Sequence, residues 1–596
     1  MDNKKIRVSK QIADWLVKHG IEQVFSVTGG GSMFLNYDLG SHPNLKCTFM
    51  HHEQACAMAA EGYARVTGKP AVVMVTTGPG SINAMNGVYG AFTDSIPMIV
   101  ISGQVKRETC LDWYDLPNLR QLGDQEGPTI AMANPICKYA RLVREPSDLE
   151  VMLPTAYTQA VSGRPGPVWL DIPIDVQNST TVLSIPDAVL PDLIHQDNIE
   201  AECSIIIEKL KSAKRPLILG GTGVRLAGAT DRLLKLVERT GIPMATAWTH
   251  DLIPSDHTLF AGRPGSIGTR AGNFCLQSAD FVLVLGSRLN IRQTGYNWKA
   301  FAKDAWLVHV DVDPAELKKP TVEPDQTILS DVNYFLDKFE NTLPQLPSYE
   351  RWAKWCKDIG TKYAAINEHK QVPGQPLNSY VIVHRIVEQL RDDDVMVSGN
   401  ASACILPFQV GNIKGKQRLF SNSGSASMGH DLPTAIGAST AAKRVICFAG
   451  DGSLQMNIQE LQTLKTAGTN VIVVVLNNAG YLSIRQTHEN FFGQIIGATP
   501  ASGVDFPDFV AVAKAYGIPG QTISSEADLL RLDQLLAQDG PLVIDIIVDP
   551  AQNFVPRMKA RLDDNGNFIP LFLDDMFPFL DPAELESVRS SAKEIK

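Results

Sequence analysis

Strand-length apolar runs separated by helix-length segments are the feature that most constrains how this 596-residue chain can fold. Residues 71–76, 98–102, 281–285, 306–312, 445–449, 471–476 and 542–548 are such runs, mostly apolar rather than alternating with polar residues. Strands read this way when helices cover both faces of a parallel sheet. The expected class is α/β, with three doubly wound parallel-sheet domains and a C-terminal tail. The domains are placed at residues 1–178, 195–343 and 375–549, and the tail at 550–596. Residues 178 to about 200 are weakly patterned, carry Pro186 and Pro191, and read as the first linker. Residues from about 343 to 375 form a mixed second connection. The tail holds Pro556, Pro570, Pro578 and Pro582 and is expected to wrap over the body.

Composition excludes several classes. A formal charge of −10 offers no basic face for nucleic acid. The 9 cysteines are scattered and odd in number, with no CxxC pair, which argues against a disulfide framework or a zinc site. With a polar N-terminus and no apolar run behind it, a reducing, cytoplasmic location is expected. No apolar run approaches the roughly 18 residues of a membrane span. The first and third blocks share a local plan. A small-residue helix leads through Lys69-Pro70 to a strand and Gly78-Pro79-Gly80, and another through Lys443-Arg444 to a strand and Gly450-Asp451-Gly452. This hints at two homologous domains flanking a different middle one.

The strongest chemical signal is Gly450-Asp451-Gly452-Ser453 followed, 27 residues after Asp451, by Asn478 in the pair Asn477-Asn478. Each half follows a buried strand, so both belong at carboxyl ends, where open α/β sheets bind ligands. Glycines beside Asp451 admit a phosphate close to the backbone, and the helix that follows offers amide donors. One carboxylate and one amide oxygen suit magnesium, which takes few protein ligands and the rest from phosphate and water. Either half alone is an ordinary turn. Together they resemble the signature of thiamine-diphosphate enzymes. That resemblance implies a metal held by Asp451, Asn478 and the Gly480 carbonyl, with Gly450, Gly452 and Ser453 on the coenzyme.

A second segment, His51-His52-Glu53-Gln54-Ala55 running into Ala59-Ala60-Glu61-Gly62-Tyr63, resembles the glutamate-bearing helix of acetolactate synthases. By that resemblance Glu53 is the acid that shares a proton with the coenzyme's aminopyrimidine. The role calls for an apolar pocket that raises its pKa. Val24–Met33 resembles the family's early glycine loop, with Gly30 near the reacting carbon. Gly78-Pro79-Gly80-Ser81 and Ser102-Gly103-Gln104-Val105 match two further turns, Gly78 among the coenzyme contacts. Gln125 matches an active-site glutamine. Residues 106–127 lack the His-His pair of simple pyruvate decarboxylases, which favours passing the carbanion to a carbon electrophile. Ser423–Pro433 is similar to the segment whose methionine, here Met428, wedges beneath the coenzyme; Asn400 is expected among its contacts. The family's Phe-Gly is replaced here by His430-Asp431.

In the middle block, Gly286-Ser287-Arg288, Arg292-Gln293-Thr294-Gly295 and His309-Val310-Asp311 resemble an FAD-binding domain, implying flavin contacts from Arg288, Arg292 and Asp311. Thr487 stands where acetolactate synthases place a bulky tryptophan, which would widen the acceptor pocket. The implied activity is decarboxylation of a 2-oxo acid, pyruvate above all, and transfer of the acyl unit to a second carbonyl. The alternatives are two-carbon transfer to a nucleotide-activated keto sugar, a pyruvate oxidase, and a catalytically silent paralogue. The resemblance further implies a homodimer or homotetramer with sites at subunit interfaces, and small-molecule partners only.

Overall fold

The computed structural model describes residues 6–560 and 572–595. Pro570 lies outside the described residues. Three parallel sheets run through the chain, one to each of three mixed α/β domains. The first has strands in the spatial order Lys46–Phe49, Gln23–Ser26, Ala71–Val75, Met98–Gln104, Pro167–Pro173 and Tyr139–Leu142. The third repeats that order with Arg418–Phe420, Val395–Ser398, Val445–Gly450, Val471–Asn477, Leu542–Ile547 and Gly520–Ile523. The local plan shared by the two outer blocks thus extends to their whole topology. The middle sheet differs, running Gln326–Leu329, Trp306–Asp311, Phe281–Leu285, Pro216–Gly220 and Met244–Thr246. Central strands such as Val471–Asn477 are buried almost end to end, as helices on both faces require.

The two outer domains meet across one helix pair. Helix Glu53–Thr67 is capped at its start by His52, whose Nδ1 accepts the Gln54 N–H at 3.1 Å, and ends on left-handed Gly68. It packs on Asp431–Ser439. A Cβ on Gly437 would stand 1.8 Å from the Ala59 carbonyl oxygen, and one on Gly62 would stand 2.1 Å from that of Thr434. The alanine-rich sequence of both helices therefore serves a backbone-to-backbone approach that no larger residue permits. The third-domain helix of that pair begins at Asp431. Pro433 sits in its first turn, where a missing N–H costs nothing. The helix Ile199–Ser212 that opens the middle domain buries Ile199, Cys203, Ile206 and Leu210 along one face. In the tail, helix Pro582–Lys593 buries Leu585, Val588 and Ala592 against Phe274 and Trp352 of the middle region. Among the described residues no helix is long and apolar enough to cross a membrane.

Candidate active site

Strands Val445–Gly450 and Val471–Asn477 pair in register, Gly450 opposite Leu476, so Asp451 and Asn478 leave adjacent strand ends together. Asp451 is 3% exposed. Its Oδ2 accepts the backbone N–H groups of Asn478 (3.2 Å) and Gly480 (3.0 Å), and Oδ1 that of Gly452 (2.7 Å). Burial pushes its carboxyl up to about 6 even though these donors oppose the rise. Asn478 is buried too. Its Nδ2 donates to Ser402 Oγ at 3.4 Å, but its Oδ1 has no hydrogen-bond partner among the described residues. A buried amide oxygen left unpaired is costly in a folded interior. Beside a desolvated carboxylate, it makes a donor set that could hold a hard cation. The chain reaches this point through a tight turn: Gly480 has φ +147, and a Cβ there would stand 2.0 Å from the Ala498 carbonyl oxygen. Among the described residues no group of three or more His, Cys, Asp or Glu side chains could hold a metal. A site of one carboxylate, one amide and one carbonyl is consistent with that.

Above this cradle lies a cavity also lined by Asn400, Met428, Gly450, Gly452, Ser453 and Arg292. The Met428 segment is pinned at both ends. Asn400 Nδ2 donates to the Ala426 carbonyl at 2.6 Å, and the Gly429 N–H donates to Ser453 Oγ at 2.8 Å. Asn400 Oδ1, lining the same cavity, is also buried without a partner among the described residues.

Glu53, Gly78, Gln125 and Gly30 form a separate cluster at the strand ends of the first sheet. Glu53 Oε2 accepts from Asn83 Nδ2 at 3.0 Å, on the helix Pro79–Thr93 that Gly78 precedes. Gly78 has φ +57, and a Cβ there would lie 2.0 Å from the Gln125 carbonyl oxygen. The Gly30 loop joins them through Gly31, whose N–H donates to Thr76 Oγ1 at 3.1 Å. Glu53 does not lie in a closed apolar pocket. It is half-buried and Gln125 is exposed. The cavity over Asp451 takes its walls from the middle and third domains and does not include Glu53.

The middle-domain residues divide. Arg288 and Asp311 line one cavity with Thr222, Gly223 and Gly286, and the first-domain loop at Arg164 closes it. Arg164 reaches across to Asp313 and Glu316, at 2.8 Å each. Burial pushes Asp311 up to about 6. Arg292 lines the cavity over Asp451 instead, so the two arginines bracket the space between the cavities. Thr487 does not line the cavity. It is exposed, its Oγ1 donates to the Ser483 carbonyl at 2.9 Å, and the wall there is Ser483 and Ile484. Helical geometry explains the difference: residue 487 lies one turn beyond the wall.

Sequence reasoning missed Asn83, Ser402 and the role of Glu61. Glu61 is fully buried, receives Arg65 Nε at 2.8 Å and Asn422 Nδ2 at 3.0 Å, and lies 3.2 Å from His430 Nε2. The last contact is off the line of a hydrogen bond and acts through charge. His430, noted only as a departure from the family pattern, thus meets a carboxylate on the Glu53 helix. The signal in hindsight is the coincidence of two charged residues in two otherwise small-residue helices.

Parallel-sheet domains of like topology, one offering a carboxylate–amide cation cradle at its strand ends and the other a glutamate-led cluster, define a coenzyme-dependent enzyme of the thiamine-diphosphate class. Residues 6–125 match the thiamine pyrophosphate enzyme N-terminal TPP binding domain, 204–339 the central domain, and 402–546 the C-terminal TPP binding domain. The acetolactate synthase large subunit of Lactococcus lactis is 30% identical over 94% of this chain and 96% of its own length. That of Parasynechococcus marenigrum is 32% identical over 92% and 88%, and the isozyme 2 large subunit of Escherichia coli 31% over 91% and 96%. The chain belongs to the thiamine pyrophosphate enzyme family, alongside these large subunits. It is a thiamine-diphosphate-dependent carboligase, which decarboxylates a 2-oxo acid and joins the acyl unit to a second carbonyl.

Proposed function

We propose that pyruvate is the acyl donor, that magnesium and the coenzyme's diphosphate are held by residues 375–549, and that residues 1–178 of a second copy hold its pyrimidine end. Asp451, Asn478 and the Gly480 carbonyl are the metal ligands in this reading. The observation that carries it is the unpaired Asn478 Oδ1 beside the desolvated Asp451 carboxylate. Gly450, Gly452 and Ser453 border the diphosphate, and Met428, with Asn400 behind it, supports the coenzyme from below. Glu53 holds and shares a proton at its carboxyl, which Asn83 orients through Oε2. Thiamine diphosphate, when bound, supplies the electron sink that accepts the electron pair left as carbon dioxide departs. Gln125 and Gly30 orient donor and acceptor above it. A second copy covering the exposed Glu53–Gln125 face excludes water and desolvates the acid. The absence of Glu53 from the cavity over Asp451 supports an assembly of at least two copies.

FAD is the proposed occupant of the cavity between the middle domain and the first-domain loop at Arg164, contacted by Arg288 and Asp311, with Arg292 at the end nearer the coenzyme. The test supplies purified protein with thiamine diphosphate, magnesium and pyruvate, and measures carbon dioxide, acetolactate and peroxide. Flavin released on denaturation is read by its absorbance. Acetolactate formed with carbon dioxide and without peroxide is the expected result. Peroxide in step with carbon dioxide, or no carbon dioxide at saturating coenzyme, would overturn the reading.

A further inference from the structure

Gln125 occupies a backbone conformation, φ +62, that a residue with a side chain adopts only when its surroundings impose it. Two clamps flank it. On one side the Glu126 carboxylate accepts the backbone N–H groups of Leu122 (2.9 Å), Gly123 (3.1 Å) and Leu111, gathering the loop around itself. On the other, the Gly127 carbonyl accepts Gln104 Nε2 at 3.1 Å.

Gln104 ends strand Met98–Gln104 and is 1% exposed. Its amide cannot turn over. Oε1 accepts the Val105 N–H at 2.9 Å, and Nε2 donates a second time, to Asp171 Oδ2 at 2.9 Å. Sheet register places Asp171 opposite Ser102 on the neighbouring strand. Ser102 Oγ donates to Asp171 Oδ1 at 2.5 Å and accepts Trp169 Nε1 at 2.8 Å. All four side chains are buried. Among the described residues no lysine or arginine is paired with Asp171, and burial pushes its carboxyl up to about 7. An acid sunk in a core without a cation is destabilising compared with an apolar filler. Its hydrogen bonds lead to one place, the Gly127 carbonyl two residues beyond Gln125. There the loop is pressed against Gly78, with the Gln125 carbonyl oxygen 2.0 Å from where a Gly78 Cβ would stand.

We propose that Gln104, locked in orientation by Asp171, Ser102 and Trp169, is a positioning residue that holds Gln125 in its left-handed conformation, where it meets the donor. This rests on the role given to Gln125 above. The test is a double-mutant cycle in holoenzyme at saturating coenzyme and magnesium, using Gln104→Met, which keeps the volume and removes both donors, and Gln125→Ala. Coenzyme affinity and kcat and KM for pyruvate are read for each variant. Gln104→Met is expected to lower kcat by roughly 10- to 100-fold, the scale of a small misplacement of an orienting group, with coenzyme affinity unchanged. The double variant is expected to be no worse than the poorer single one, because both act through one group. Asp171→Asn, which replaces one of the two carboxylate acceptors facing Gln104 and Ser102 with a donor, is expected to reproduce the kcat loss in part, and serves if Gln104→Met does not fold. Wild-type kcat in both the Gln104 and Asp171 variants, or losses that multiply in the double variant, would overturn the positioning role. Wild-type kcat in Gln125→Ala would instead overturn the role of Gln125 itself, and the two failures are told apart by that single variant.

Discussion

Glu61 offers a stability prediction whose size and sign follow from its surroundings. Burial alone would raise its carboxyl, but the charges of His430 and Arg65 and the Arg65 hydrogen bond outweigh burial and hold it down to about 2, against an ordinary 4.5. A depressed folded-state pKa means the ionised form is favoured by folding. The stabilisation is therefore fully present above about pH 4.5 and is lost as pH falls toward 2. A difference of that size corresponds to about 3 kcal/mol near neutrality. Glu61→Gln keeps the shape, removes the anion, and leaves Arg65 dependent on Asp94 at 2.6 Å. Breaking a buried pair by removing one partner costs about 3–5 kcal/mol, which agrees with the titration figure. The assay is chemical denaturation of wild type and Glu61→Gln at several pH values between 7 and 3.5. The expected gap is widest at pH 7 and narrows once pH drops below about 4.5, where Glu61 of the unfolded wild-type chain begins to take up a proton while the folded chain still holds it ionised. A gap that does not change with pH, or a variant as stable as wild type at pH 7, would refute the reasoning.

Other outcomes follow from the same geometry. Asp451→Asn removes the one carboxylate of the cation cradle, so magnesium-dependent coenzyme affinity is expected to fall on the order of 100-fold, read by titration of intrinsic fluorescence. Gly437→Ala drives a Cβ into the Ala59 carbonyl oxygen, 1.8 Å away, and must part the helix pair joining the outer domains. A loss of about 1–3 kcal/mol is expected from that overpacking, seen as a lowered thermal midpoint.

What could be read from the sequence was what local order controls. The apolar runs announced buried parallel strands, and once strand ends were located, Gly450-Asp451-Gly452 and Asn477-Asn478 had to lie side by side. The Glu53 helix was legible because its alanines and Gly62 made no sense on a surface. The contacts that give these residues their environment were not legible, because they are set by sheet register and domain docking. Ser102 meets Asp171 only because two strands pair with those residues opposite. Glu61 meets His430 only because two distant helices approach through Gly62 and Gly437. Thr487 shows the reverse failure. Counting from Asn478 placed it in the acceptor wall, but the helical turn carries it past the cavity and leaves Ser483 and Ile484 there.

The claim on which the account rests is that one chain's Glu53 serves another chain's Asp451. Glu53→Gln and Asp451→Asn, each inactive alone, are to be co-expressed in equal amounts and assayed together for acetolactate. In random dimers half the assemblies are mixed and each mixed dimer has one site free of both lesions, so about a quarter of wild-type activity is expected. No recovery above either parent, with mixed dimers verified by differential tagging, would contradict it.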